Sequence, residues 1–224
     1  MNKYGIFCTI LLLVCSFCIH INAQNVDSLM QYEIGSSKEI LTSFSPMSPL
    51  SNLLVDMLFE WGNEYLLSKN MEKADFALLN FGGIRAALPQ GTITIDDIYQ
   101  IAPFYNTVAF VFVKGSELRK MFNGFTEKRN AIMANVQTIY SSNRLNSYTI
   151  AGSPLENEKI YTIVTINFLA LGGDEFLRNV NFESVLYIET FVHDVFIEKI
   201  KQKTVLGFEI EAVRDNRVII KPSP

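Results

Sequence analysis

A short segment after an apolar run carries residue types suited to holding a ligand against the backbone. Asn80-Phe81-Gly82-Gly83-Ile84-Arg85 directly follows the apolar residues 76–79. Gly82 and Gly83 leave backbone N–H groups open to an anion or a flat ligand, and Arg85 offers a planar fork of donors. The glycine spacing differs from that of the dinucleotide-binding fingerprint. These residues alone also fit a tight turn with a solvated arginine.

A second segment places an aromatic residue in a loop. In Pro103-Phe104-Tyr105-Asn106, Phe104 comes just after the end of a predicted helix. An aromatic residue at such a position is either a core anchor or a surface on which a ligand stacks, and composition alone favours the core anchor. The sequence leaves both roles open for Phe104.

A third segment, residues 167–174, repeats the combination of a phenylalanine, two glycines and a polar side chain at the end of a strand. Phe168 and Phe104 could sandwich a flat aromatic ligand between them, because ring stacking holds such ligands without regard to their identity. Asp174 could then accept hydrogen bonds from ligand hydroxyls. The alternative is that Asp174 caps the start of a helix.

Local sequence signals predict the elements that must position these segments. Ser48 is a suitable N-cap for a helix over residues 48–68, and Pro49 suits its first turn. Thr94 caps a second helix that ends before Pro103. The remaining predicted elements are strands at 74–81, 91–93, 106–115, 136–142, 147–152, 159–166 and 217–222 and helices at 115–125 and 188–203; the strands at 136–142, 147–152 and 159–166 are expected in one mostly antiparallel sheet.

Composition restricts the chemistry. The chain has 224 residues, a formal net charge of −4, two histidines and three cysteines. A mildly acidic chain without basic clusters argues against nucleic acid as a partner. Only His193 lies beyond the first 23 residues, and one histidine does not support a histidine-rich two-metal centre.

The first 23 residues have the pattern of a secretory signal peptide. Lys3 precedes an apolar run over residues 10–19, and Ala23 offers a small residue for cleavage. The run is too short for a comfortable membrane span, so we expect no span and an exported, periplasmic protein. Lipoprotein anchoring through Cys15 or Cys18 is less favoured because no small residue precedes either. Residues 24–224 are expected to form a single domain.

The three segments together resemble the C-terminal domain of the 5′-nucleotidase family, which includes periplasmic UDP-sugar hydrolase and ecto-5′-nucleotidase. The segments Asn80-x-Gly-Gly-Ile-Arg85, Pro103-Phe104-x-Asn106 and Asn167-Phe168-(five residues)-Asp174 occur in the order found in that domain. The predicted helices that begin near residues 48 and 115 are also similar to helices of the family. The resemblance extends over roughly residues 35–220 and implies a mixed α/β (α+β) fold in one domain, a four-layer α/β/β/α sandwich.

The resemblance also implies a role for each position. Phe104 and Phe168 would clamp a nucleobase, and Asp174 would bind the ribose hydroxyls. Arg85 would lie near the phosphate. The remaining substrate-binding positions that it implies are Asn80, Gly82, Gly83 and Asn106, with both asparagines near the base or the sugar.

Two departures from the family pattern affect the expected function. The Asp-x-His, Gly-Asn-His-Asp/Glu and His-x-His motifs of the preceding catalytic domain do not occur here, so we expect no cofactor in this chain and divalent metals on a separate catalytic chain. Family members also carry a phosphate-holding arginine before the first helix, whereas no Arg or Lys occurs between Glu39 and Ser68. Phosphate should therefore be held more weakly than the family suggests, unless a partner supplies the charge.

Three interpretations remain open. The chain could bind nucleosides or nucleotides as the specificity subunit of a 5′-nucleotidase-type hydrolase whose separate metallophosphoesterase chain carries the metals. It could be a stand-alone periplasmic nucleoside- or nucleotide-binding protein, or a relic whose pocket no longer binds. The retained Phe104, Phe168 and Asp174 favour a working pocket.

Overall fold

A five-stranded sheet organises the structure, a computed structural model that describes residues 27–222. Its strand order is β5-β2-β8-β4-β9. The central strands β2, β8 and β4 are apolar on both faces, which is the pattern of strands covered on both sides. β2 runs parallel to β8, and β4 runs antiparallel to both β8 and β9. The five strands are Phe76–Leu79 (β2), Thr107–Lys114 (β4), Ile132–Ala134 (β5), Ile160–Ile166 (β8) and Ser184–Phe191 (β9).

The first long helix, α1 (Pro49–Ser68), packs on this sheet. Ser48 and Ser51 form a reciprocal capping box at its start, as the sequence predicted for the Ser48 N-cap. α1 contacts β2, β5 and β8. A side-chain carbon added at Gly62 would come within 2.8 Å of the Val164 side chain, so glycine is what allows this helix to approach β8 so closely.

The other elements surround this core. A second capping box, between Thr94 and Asp97, begins α2 (Ile95–Ile101). A two-stranded sheet pairs β1 with β3, and a three-stranded sheet has the order β10-β6-β7. The bounds of these elements are Glu33–Ser37 (β1), Gly91–Thr94 (β3), Gly115–Asn123 (α3), Val136–Ser141 (β6), Arg144–Ile150 (β7), Asn167–Ala170 (α4), Val192–Val205 (α5) and Val218–Lys221 (β10).

The arrangement confirms the predicted fold class, a mixed α/β fold in one domain. The prediction from the sequence that β8 shares one sheet with β6 and β7 was wrong. β6 and β7 pair with each other, whereas β8 lies between β2 and β4 in the five-stranded sheet. The physical reason is burial. Residues 163–166 of β8 are buried, which requires other elements to pack on both faces of the strand, and the half-exposed sheet of β6 and β7 does not provide this packing.

The predicted start of the last helix was also wrong. Residues 188–191 belong to β9, and α5 begins at Val192. Backbone pairing with β4, in which Phe191 lies opposite Thr107, gives these residues the extended conformation. Strands β1, β5 and β9 were not predicted.

The predicted signal peptide, residues 1–23, lies outside the described residues. In the range that the structure does describe, none of the helices combines the length and apolar character that crossing a membrane requires.

Candidate functional site

The topology brings the three sequence segments to one edge of the five-stranded sheet. β2 and β8 are parallel neighbours, so the residues that follow them, Asn80 and Asn167, lie at the same edge. β4 is antiparallel to β8, so its beginning, just after Asn106, lies there too. Segments that are far apart in the chain therefore meet because of strand direction.

A cavity of about 180 Å³ lies at this edge. This volume is below the roughly 300–1,000 Å³ of sites that enclose a drug-sized molecule. Its lining comprises seven of the eight predicted site residues: Asn80, Gly82, Gly83, Phe104, Asn106, Phe168 and Asp174.

Asn80 and Asp174 join two of the segments directly. The Nδ2 group of Asn80 donates a hydrogen bond of 2.6 Å to Oδ2 of Asp174. Asp174 has a positive φ of 50°, which is uncommon for a residue other than glycine, and this conformation aims its carboxylate at Asn80. The second carboxylate oxygen accepts no hydrogen bond from residues 27–222. The predicted alternative of a helix cap is not what the structure shows, since the 3₁₀ turn Gly173–Glu175 has no side-chain cap.

Phe104 lies on the surface of the site. Its side chain is 46% exposed, so it is not the core anchor that composition favoured. The loop that carries it is fixed by its neighbours. The backbone N–H of Val192 donates to the carbonyl of Asn106 at 2.9 Å, and the Tyr105 ring packs edge-on against Phe191 with centroids 5.7 Å apart.

Phe168 is presented in the same way, with 41% of its side chain exposed. Oδ1 of Asn167 accepts from the backbone N–H groups of Phe168 at 2.8 Å and Thr107 at 3.2 Å, which ties the end of β8 to the start of β4. A side-chain carbon at Gly173 would fall 2.5 Å from the Phe168 ring, so glycine is required for this ring position. Neither Phe168 nor Phe104 pairs with another aromatic ring of the described residues.

A second, smaller cavity lies beneath Phe104 and has an almost entirely apolar lining. It shares Asn80, Gly83, Phe104 and Asn106 with the first cavity. Sequence reasoning missed this apolar floor, because its members come from four helices and strands and from two connecting segments, and their apolar pattern predicted only core packing. The floor residues are Leu54, Leu79, Ile84, Ala102, Ile166, Val192 and Phe196.

Arg85 is the predicted site residue that the structure does not place in the cavity lining. Its side chain is exposed and donates a long hydrogen bond of 3.4 Å to the carbonyl of Gly82. Its backbone N–H donates to the carbonyl of Ile101 at 2.8 Å, which links the Gly82–Gly83 turn to the end of α2.

The site offers binding groups rather than metal ligands. Two exposed rings provide stacking surfaces, Asp174 provides an anionic acceptor, and Asn80 and Asn106 provide amides. Across residues 27–222, no three His, Cys, Asp or Glu side chains are grouped so that they could hold a metal ion. The described residues therefore do not fit a two-metal centre.

Comparison with known proteins agrees with the motifs. The family model described as 5′-nucleotidase, C-terminal domain, matches residues 33–179. Protein UshA from Yersinia enterocolitica is 34% identical over 144 residues, which are 60% of this chain and 26% of that protein. Protein UshA from Escherichia coli is 28% identical over 144 residues, with the same coverage.

A solved structure agrees as well. The crystal structure of the 5′-nucleotidase precursor from Thermus thermophilus superposes with a TM-score of 0.74 at 25% identity and covers 95% of this chain and 44% of that one. The chain spans about a quarter of the length of the two curated relatives. The family match covers well over half of the chain and includes Asn80, Phe104 and Phe168 in one cavity. The chain therefore belongs to the family of 5′-nucleotidase C-terminal domains.

Proposed function

We propose that this chain binds the nucleoside part of a nucleotide for a 5′-nucleotidase-type hydrolase. The nucleobase stacks between Phe104 and Phe168, and the ribose hydroxyls donate to the free carboxylate oxygen of Asp174. The observation that carries this proposal is that two exposed, unpaired rings and a carboxylate with spare acceptor capacity line one cavity. Its volume is about 180 Å³, and we expect the base and sugar to occupy it with the phosphate facing outwards.

The catalytic metals, on this proposal, belong to a separate metallophosphoesterase chain. Holding the base and sugar would place the outward-facing phosphate over that partner's metals, so that binding energy from the nucleoside is used for positioning. Productive docking requires a specific interface, for which about 1,200–2,000 Å² of total buried surface is usual. Because this chain carries a predicted export signal, the proposal requires the metallophosphoesterase chain to be periplasmic as well.

A stand-alone nucleoside-binding protein is the second candidate. The lining of the cavity is compatible with it, because the groups that line the cavity suit a nucleoside and need no partner chain to complete them. A protein of this kind would bind nucleosides and nucleotides equally well and would do so without a partner.

Calorimetric titration tests the proposal. Adenosine and then AMP are titrated into the protein lacking residues 1–23, into Phe104→Ala and into Phe168→Ala. Each substitution should weaken adenosine binding by about 1–3 kcal/mol, the range for base–aromatic stacking. Phe208→Ala is the matched control, because it removes an exposed aromatic ring that neither lines the cavity nor belongs to the loop that carries Phe104. Full-strength binding in both phenylalanine variants would contradict the clamp.

Adding a metallophosphoesterase chain separates the two candidates. The subunit proposal expects hydrolysis of AMP only when both chains are present, and expects Phe104→Ala to reduce it. Nucleoside binding that the second chain neither changes nor makes productive would favour the stand-alone protein.

A further inference from the structure

A second polar cavity lies beside the turn that carries Asp174. Its volume is about 250 Å³, and its lining includes the cationic side chains of Lys120, Arg129 and Arg178 with a single carboxylate, Glu175. The cations come from the end of α3, from the loop after it and from residues beyond the 3₁₀ turn. This concentration of positive charge contrasts with the absence of Arg and Lys between Glu39 and Ser68.

Glu175 lies between the two arginines. Its Oε2 is 3.5 Å from Nη2 of Arg129, and its Oε1 accepts a hydrogen bond from Nη1 of Arg178. All three side chains are about half exposed, between 47% and 61%. Exposed ion pairs of this kind contribute little to stability and exchange readily, so another anion can take the place of the Glu175 carboxylate.

The remaining contacts leave donor capacity in the cavity. Arg129 uses Nη1 for a 3.4 Å hydrogen bond to the carbonyl of Gly124. Lys120 is paired with Glu117, which does not line the cavity. An arginine carries five N–H donors, so most donors of Arg129 and Arg178 face no protein acceptor within residues 27–222.

One turn connects this cavity to the nucleoside cavity. Asp174 and Glu175 both have positive φ angles, 50° and 62°, and they are consecutive residues. The Asp174 carboxylate lines the nucleoside cavity, and the Glu175 carboxylate lines the basic one. The two consecutive left-handed residues therefore direct their carboxylates into two different cavities.

We propose that the basic cavity binds a phosphate-class oxyanion, which competes with the Glu175 carboxylate for Arg129 and Arg178. Guanidinium groups match the geometry of tetrahedral oxyanions, to which they donate two hydrogen bonds at once. The anion is either free inorganic phosphate, the product of the proposed reaction, or the phosphoryl group of a bound nucleotide. Only the nucleotide source rests on the proposed function.

Direct titration with inorganic phosphate tests the site. Phosphate binding is followed by ³¹P NMR and calorimetry, against NaCl at equal ionic strength. The double variant Arg129→Gln/Arg178→Gln should lose at least tenfold in phosphate affinity. Arg119→Gln is the matched control, because Arg119 is an arginine on the neighbouring helix α3 that donates to Asn157 and does not line the cavity. It should bind phosphate like the unmodified protein.

The Glu175→Gln variant distinguishes competition between Glu175 and phosphate from a purely structural role of the Glu175 ion pairs. Removing the competing carboxylate should tighten phosphate binding severalfold, whereas loss of a merely structural ion pair would not. Phosphate binding that the arginine double variant retains, or that Glu175→Gln fails to strengthen, would overturn the proposal.

Comparing AMP with adenosine distinguishes the two sources. If the cavity takes the nucleotide's own phosphate, the arginine double variant weakens AMP binding and leaves adenosine binding unchanged. If it takes free phosphate, the variant changes neither nucleoside nor nucleotide affinity but loses phosphate binding. Phosphate binding without adenosine binding in the unmodified protein would support this site and contradict the proposed function.

Discussion

Asn80 and Asp174 are separated by 94 positions in the chain and are joined by a single hydrogen bond. This bond gives Asp174 a defined orientation and uses only one of its two oxygens. The other oxygen is available to a ligand on the side where Phe104 and Phe168 present their rings. On the proposed function, ribose recognition would therefore depend on one carboxylate that a neighbouring amide orients.

Asp174→Asn should weaken binding of ribonucleosides more than of 2′-deoxynucleosides. A hydrogen bond to a charged group contributes about 1.5–3 kcal/mol, so adenosine should lose roughly tenfold or more in affinity when the charge is removed. Calorimetry with adenosine and 2′-deoxyadenosine measures the difference. Equal losses for the two ligands would show that Asp174 only supports the turn.

Gly173→Ala should displace the Phe168 ring without unfolding the domain. The new methyl group would stand 2.5 Å from the ring, and the partly exposed ring is free to rotate away. Adenosine affinity should fall by about the 1–3 kcal/mol expected for a lost stacking partner. A double-mutant cycle is the control, because Gly173→Ala should have little further effect in a Phe168→Ala protein. Additive losses would mean that Gly173 acts in another way.

Among the elements, one ion cluster ties the C-terminal strand to the first helix. The guanidinium of Arg217, just before β10, donates to both oxygens of Asp56 on α1 at 2.8 Å. It also donates to Asp215 and to the backbone carbonyl of Met133 in β5. These contacts connect α1 to both larger sheets at an almost buried arginine, whose side chain is 12% exposed.

Arg217→Gln should destabilise the domain at neutral pH and do so less in acid. Removing one partner of a buried pair costs about 3–5 kcal/mol, which we reduce to roughly 2–3 because Asp56 is 28% exposed. Burial already raises the pKa of Asp56 despite the hydrogen bonds from Arg217 that lower it. Without Arg217 that pKa should rise further. A folded-state pKa above the unfolded value means that protonation favours the folded state, so the variant recovers stability as pH falls towards about 5.

Urea unfolding of the two proteins at pH 7 and pH 5 measures this effect. Ser116→Ala is the control substitution, because it changes a polar side chain on α3 that is not part of the ion cluster around Arg217. A stability deficit that is equal at both pH values would contradict a role for the Asp56 charge.

At the scale of the whole molecule, the described residues include no group of three or more His, Cys, Asp or Glu side chains that could hold a metal ion. The purified chain, supplied with Mn²⁺ or Zn²⁺, should therefore release no phosphate from AMP. A colorimetric phosphate assay checks this, with adenosine binding measured on the same sample to show that the pocket is intact. Metal-dependent release that copurifies with this protein would contradict the proposed division of labour between two chains.

Much of the fold follows from local signals in the sequence. Ser48 and Thr94 mark the starts of α1 and α2 correctly, because a capping side chain acts within one helical turn. Strands β2, β4 and β8 were also identified, β2 and β4 from runs of apolar residues. Neither the pairing of β8 nor the strand β9 was predicted, because strand pairing joins residues that are distant in the chain and leaves no local signal in the sequence.

The candidate site likewise has features that the sequence determines and features that only the tertiary structure determines. By itself the sequence determined which residue types were available and, through the order of its three motifs, the family to which the chain belongs. Only the tertiary structure decided that Phe104 and Phe168 are exposed, that Arg85 lies outside the cavity lining and that Asn80 orients Asp174. It also decided that Lys120, Arg129 and Arg178 share a cavity beside Glu175. Each of these facts depends on the direction of neighbouring strands and on the turns at their ends, which bring together residues that the chain keeps apart.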